Sequence, residues 1–241
     1  MTISSRPLHL SGGKAQQRRR PLLGMTLAAA GFGAILGFTL PGTTFAAESD
    51  RSPTITIQVY NYSQASPALL SHAEAEAGRI LREAGLRTVW LECLVGPTTI
   101  TPKGRCKESL EATDLRLRVL SAAIENSFQP TVFGFTIHPI FASVYYEHAM
   151  RRAQREHAES QTPTILGAVI AHELGHLLLS TNEHSRTGIM QSHWYPDQVL
   201  QLMKGDLLFT REQSKLMREQ GRTRTRFQRE NLDPRLTSQN H

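Results

Sequence analysis

The chain has 241 residues, with 27 Lys and Arg against 21 Asp and Glu, a net charge of +6. Hydrophobic residues make up 39 %. That is enough for a sizeable core and excludes a disordered or collagen-like chain. Two cysteines exclude a disulfide-dense miniprotein and a cysteine-rich metal module.

The excess charge lies at the start. Residues 1–20 hold Arg6, Lys14, Arg18, Arg19 and Arg20 and no acid. Pro21 to Ala47 carries no charge, and Leu22 to Leu40 is mostly Leu, Ala, Gly and Phe. Thr44-Phe45-Ala46 ends the stretch with small residues at the two positions a signal peptidase reads. This pattern predicts a signal peptide over 1–46, cut after Ala46, and an exported protein, periplasmic or extracellular. Arg19-Arg20-Pro21-Leu22-Leu23 resembles the twin-arginine export pattern. The alternative is an uncleaved membrane anchor, since a span needs roughly 20 apolar residues. Residues 47–241 keep 22 basic against 21 acidic residues, so composition argues against a nucleic-acid partner. No stable membrane partner is expected after cleavage, and the mature chain is expected to be a monomer. Export also permits a disulfide. Cys93 and Cys106 flank the Gly/Pro/Thr-rich stretch from Val95 to Gly104. A bridge there would stabilise by about 3 kcal/mol on the loop-entropy model; two free thiols are the alternative.

After a short linker, 47–52, Ile55 to Tyr60 alternates and is β-branched, predicting a strand. Ser66-Pro67 opens a helix whose apolar positions recur from Leu69 to Ala84, and Gly85 ends it. Thr88 to Leu94 is a second strand, and Leu115 to Leu120, which alternates strictly, a third. Thr131 to Ile137 and Ala142 to Tyr146 are further short strands. Arg151 to Glu159 is a polar helix, and Thr162-Pro163 starts an apolar helix running to about Leu179. The order predicts one α/β (α+β) domain over 53–220: a mixed twisted sheet, two main helices and an irregular C-terminal part. Residues 221–241 hold Arg222, Arg224, Arg226, Arg229 and Arg235 with few apolar residues, and read as a basic, disordered tail.

The chemistry concentrates in Ala171-His172-Glu173-Leu174-Gly175-His176. His172 and His176 are four apart, so on a helix they project from one face, one turn apart. Two imidazoles so placed can share one tetrahedral Zn²⁺. Glu173 lies beside the metal, where it can accept a proton from an activated water. In a shuffled sequence of this composition the pattern H-E-x-x-H is expected at roughly 0.03 occurrences. Here it falls inside an apolar helix, where unpaired polar groups are costly. A catalytic zinc site needs a third protein ligand and an open position. Glu183, His184 and His193 are the candidates.

His172 to Met190, H-E-L-G-H-L-L-L-S-T-N-E-H-S-R-T-G-I-M, resembles the metzincin clan of zinc endopeptidases. That clan joins a H-E-x-x-H helix, a third His just beyond it and a Met-containing turn. The resemblance implies a metzincin-like zincin fold and one catalytic zinc ion. It implies His172, His176 and His184 as ligands, Glu173 as general base and Met190 as the Met-turn residue. It also makes Tyr195 a candidate for contact with the metal or the developing oxyanion. Two features depart from the clan pattern: Leu179 stands where the clan has Gly, and His184 follows His176 by eight residues rather than six. Asn182 is expected to take the left-handed conformation that the Gly would supply. A peptide or protein substrate would lie along an edge strand, for which Ala142 to Tyr146 is the candidate. The rival readings are a zinc-dependent hydrolase of small amides or esters, and a non-catalytic, zinc-stabilised envelope binding domain.

Overall fold

The computed structural model describes residues 52–63, 65–93, 106, 110–121 and 132–232. The chain divides into two units, 1–46 and 47–241, and all described residues belong to the second. The expected signal peptide therefore lies outside the described residues.

Five strands form one mixed sheet: β1 (Thr54–Asn61), β2 (Arg87–Cys93), β3 (Asp114–Leu120), β4 (Gly134–Ile137) and β5 (Phe141–Tyr145). Their spatial order is β2-β1-β3-β5-β4. β1 pairs in parallel with β2 and β3, β3 with β5, and only β4 runs antiparallel, against β5. One face of the sheet is a continuous apolar layer. Ile55, Ile57 and Val59 of β1, Leu115, Leu117 and Val119 of β3, and Ala142 and Val144 of β5 are all buried. The strict alternation puts them on one side because side chains repeat every second residue.

Two helices supply the main cover for the core. α1 (Pro67–Glu83) starts where the Ser66 hydroxyl accepts from Leu69 N–H at 3.3 Å. It stops before Gly85, whose φ of 86° only glycine adopts readily. α2 (Tyr146–Arg155) and a short 3₁₀ turn then lead into α3 (Thr162–Leu179). α3 is buried without a break from Ile165 to Leu178. It is apolar all round because other elements enclose it on all sides. α1 lies close against it: a side chain at Gly167 would stand 2.6 Å from the Ala73 carbonyl oxygen. α4 (Pro196–Met203) and α5 (Arg211–Leu232) complete the domain.

Three expectations need correction. Ala142 to Tyr146 is not an edge strand. The turn at 138–140 folds β4 outside β5, so β4 is the edge nearest α3 and β5 is interior. The polar helix begins at Tyr146 rather than Arg151 and ends at Arg155, because it follows β5 with no intervening loop to mark the change. The expected tail is largely helix: α5 runs on through Gly221 to Leu232, and only 233–241 lie outside the described residues. Its core contact is a thin stripe, with Ser214, Met217 and Gly221 buried. Gly221 is so close to Pro53 that an added Cβ would stand 2.8 Å from it. Beyond it, Arg224 donates to the Ala112 and Pro139 carbonyls at 3.1 and 3.3 Å, and the Thr113 N–H and hydroxyl donate to Gln228 Oε1 at 3.1 and 2.6 Å. Polar anchors replace the apolar ones that would have announced a helix. Cys93 and Cys106 form a disulfide; the segment between them, 94–105, lies outside the described residues.

Candidate metal centre

α3 carries His172, Glu173 and His176 in about its last two turns. Both histidines are buried. Each is oriented by a backbone carbonyl: His172 Nδ1–H donates to Ile189 O and His176 Nδ1–H to Thr181 O, both at 2.8 Å. A carbonyl can only accept, so the protons sit on Nδ1 and both Nε2 atoms present lone pairs. Those two Nε2 atoms are 3.1 Å apart. Two lone pairs at that separation repel unless something positive lies beside both. His184 completes the group: ligand atoms of His172, His176 and His184 all lie within 4.8 Å of one another. Burial, opposed by the Ile189 hydrogen bond, pushes the His172 imidazole down to about 3. His176 and His184 are lowered too, burial again being the main cause. Neutral rings are what a metal requires. Three imidazoles with no fourth His, Cys, Asp or Glu among the described residues fit one zinc ion with an open position.

His184, the third histidine of the group, arrives by a turn built differently from expectation. Ser180, not Asn182, takes the left-handed cap, with φ 53° and ψ 40°. Thr181 N–H then bonds back to the His176 carbonyl at 3.2 Å, the same residue whose ring Thr181 O receives. Asn182 is turned outward to the sheet edge. Its Oδ1 faces His138 Nε2 at 2.9 Å and accepts from the Thr136 hydroxyl at 3.3 Å. The two-residue longer loop is thereby tied to β4 and the turn after it. Glu183, exposed, donates its N–H to the Thr181 hydroxyl at 3.0 Å and does not join the ligand group.

Below the histidines the backbone returns through Ser185 to Met190. Ser185 N–H bonds to Met190 O at 2.8 Å and Ile189 N–H to Leu208 O at 2.9 Å. Gly188 sits at φ 74° against the Leu208 carbonyl, where a Cβ would stand at 2.6 Å. The buried Met190 thioether lies under α3 at Gly175, 2.7 Å from where a Cβ would be. Met190 thus packs against α3 at Gly175, between the two helical histidines in sequence.

Glu173 points the other way, into the junction of α3 with the edge strand. A Cβ on Gly134 of β4 would stand 2.8 Å from its Cγ and Cδ and 2.5 Å from the Ser143 carbonyl. Burial pushes this carboxyl up to about 8. A cation held by the imidazoles would act in the opposite sense and favour the carboxylate.

His193 is exposed, 3.2 Å from the Ser192 hydroxyl, and outside the ligand group. Tyr195 is 68 % exposed at the start of α4, its N–H donating to Gln198 Oε1 at 3.1 Å. The sequence concealed three participants. Trp194 Nε1–H donates to Ile189 O at 3.1 Å, the same oxygen that orients His172. Its ring lies 5.9 Å from that of His172 and stacks on Phe133 at 6.1 Å. Gly134 and the His138–Asn182 tie are the others. The ring contacts of Trp194 with His172 and Phe133, the Gly134 bed and the His138–Asn182 tie all join residues far apart in sequence, which no local pattern encodes.

No protein-family model matches the chain, and no curated protein does. Among solved structures it is similar to a zinc-dependent peptidase from Methanocorpusculum labreanum, at 15 % identity over 67 % of this chain and 99 % of that one, TM-score 0.48. It is also similar to archaemetzincin from Methanopyrus kandleri, at 14 % identity over 70 % and 97 %, TM-score 0.45. With TM-scores below 0.5, neither likeness carries the functional reading, which rests on the site's own residues.

Proposed function

We propose that the protein is an exported zinc-dependent metalloendopeptidase. The observation that carries the reading is the pair of Nε2 lone pairs 3.1 Å apart, with His184 closing the group and Glu173 next to His172 along α3. His172, His176 and His184 would hold the zinc. When bound there, it supplies an acidified water and polarises the scissile carbonyl. Glu173 accepts the proton from that water and passes it to the leaving amine. Gly134 lets the carboxylate lie flat against β4, so the base is fixed rather than free to rotate. The Ile189 and Thr181 carbonyls hold two ligand rings in the required tautomer.

Endopeptidase action is favoured by β4 itself. It pairs only with β5 among the described strands and leaves its other edge open, beside Glu173. Ile137 on it is 52 % exposed. An extended polypeptide can add to such an edge through main-chain hydrogen bonds. Export is supported by the charge and apolar pattern of 1–46 and by the Cys93–Cys106 disulfide.

The test is Glu173→Gln. Hydrolysis of a casein-type protein should fall by about 10²–10⁴-fold, with zinc still bound at one per chain. Unchanged hydrolysis would remove Glu173 from its role.

A further inference from the structure

α5 carries a second feature that the metal chemistry does not use. Arg211, Lys215, Arg218, Arg222, Arg226 and Arg229 follow one another at steps of three and four. On a helix they form a single stripe, about 27 Å long at 1.5 Å per residue. All but Arg218, which donates to the Ala84 carbonyl at 3.0 Å, are exposed. Glu212, Glu219 and Glu230 are the only acids on the helix. In a mature protein otherwise near neutral, this is a strong local concentration of positive charge.

The stripe does not simply face solvent. Its C-terminal half forms one wall of a groove of about 870 Å³. Arg222, Arg226 and Arg229 line that wall with one acid, Glu219, and Arg87 of β2 lines the sheet side, so the charged lining keeps a positive excess. The sheet side is otherwise small and apolar or hydroxylic, with Pro53, Thr54, Thr56 and Val89. Polar contacts fix the geometry: Arg224, which does not line the groove, donates to the Ala112 and Pro139 carbonyls, and Gln228, which lines it together with Thr113, accepts from the Thr113 hydroxyl.

We propose that this groove is a binding site for an acidic polypeptide segment in extended form. An extended segment alternates its side chains, at about 6.7 Å between residues on one face. A segment with Asp or Glu at every second position would give one face to the arginines, whose planar forks match carboxylates bidentately. Its other face would meet Val89, Pro53 and the threonines. Two rival anions fit less well. A single-stranded nucleic acid is held by base stacking on aromatic rings, and no described residue lining the groove is aromatic. A flat anionic membrane cannot enter a concave site walled by the helix.

The site is separate from the metal centre, so it can be tested with hydrolysis disabled. The probe is a fluorescein-labelled twelve-residue peptide of alternating Glu and Val, read by anisotropy against the full-length protein carrying Glu173→Gln. Adding Arg222→Gln and Arg226→Gln should weaken binding at least tenfold, and higher salt should weaken it in the parent. Arg151→Gln with Arg155→Gln, the same charge change on α2, should leave affinity unchanged. Circular dichroism shows whether each variant is folded; should the groove variant fail, the salt dependence and Arg87→Gln decide. Unchanged affinity in the groove variants, or an equal loss in the α2 variant, would overturn the proposal. So would an oligothymidylate or an anionic vesicle binding as tightly as the peptide, since the groove would then be a general anion collector.

Discussion

The two halves of the metal centre are built by opposite means. His172 and His176 stand on a buried helix, each ring locked by a backbone carbonyl. His184 is exposed, on a loop, and its position depends on Ser180 at a left-handed cap and on the side-chain tie from Asn182 to His138. The helical half is preorganised by the fold as a whole. The loop half is held by a few polar contacts that water can replace. One half should therefore fail completely when altered, and the other by degrees.

The largest effect is expected at the helical half. His176→Ala should abolish zinc binding measured by metal content, and hydrolysis with it. Retained stoichiometric zinc would show that the two helical rings are not equivalent ligands. Gly134→Ala should come next. Its Cβ meets Glu173 and a β5 carbonyl, so the base must move while the three rings stay. A displacement of about 1 Å can cost roughly 10²-fold, and zinc affinity should be unchanged. An unaltered turnover rate would mean that Glu173 does not need its bed on β4.

The loop half should respond more gently. Asn182→Ala should weaken zinc affinity by about 10-fold, the lower range for an outer-shell partner, and His138→Ala should do the same. His193→Ala should change nothing; if it matched His184→Ala in lost zinc, the third ligand would be misassigned. Smallest is a stability effect away from both halves. Glu74 on α1 is buried, its Oε1 has no hydrogen-bond partner among the described residues, and burial with the charge of Glu92 raises its carboxyl to about 7 from 4.5. The folded protein holds this proton more tightly than the unfolded one. Stability from it is therefore full below about pH 4.5 and is lost as pH rises through 7. Glu74→Gln should raise the melting temperature at pH 8 relative to the unaltered protein, by up to about 3 kcal/mol in stability, and little at pH 4. An equal difference at both values would contradict the assignment.

The same contrast explains what the sequence disclosed. The α3 motif was legible because a four-residue spacing on a helix is sufficient geometry for two ligands. The extent of α3 and α1 followed from Thr162-Pro163 and Ser66-Pro67. α5 was not legible as a helix because its anchors are polar and its buried stripe narrow. One local signal was present: Thr210 and Gln213 cap each other, Gln213 N–H on the Thr210 hydroxyl at 3.2 Å and Thr210 N–H on Gln213 Oε1 at 2.9 Å. The edge strand was misplaced because sequence order does not reveal that a hairpin folds outward. Gly134, Trp194 and His138 act through contacts formed only in the folded domain.

The central claim is a three-histidine zinc centre with a free position beside Glu173. X-ray absorption on the zinc-loaded protein measures it most directly. The account predicts three imidazole nitrogens at about 2.0–2.1 Å and one water-type oxygen, with one imidazole lost in His184→Ala. A fourth protein ligand closing the shell, or a first shell unaltered in His184→Ala, would contradict it.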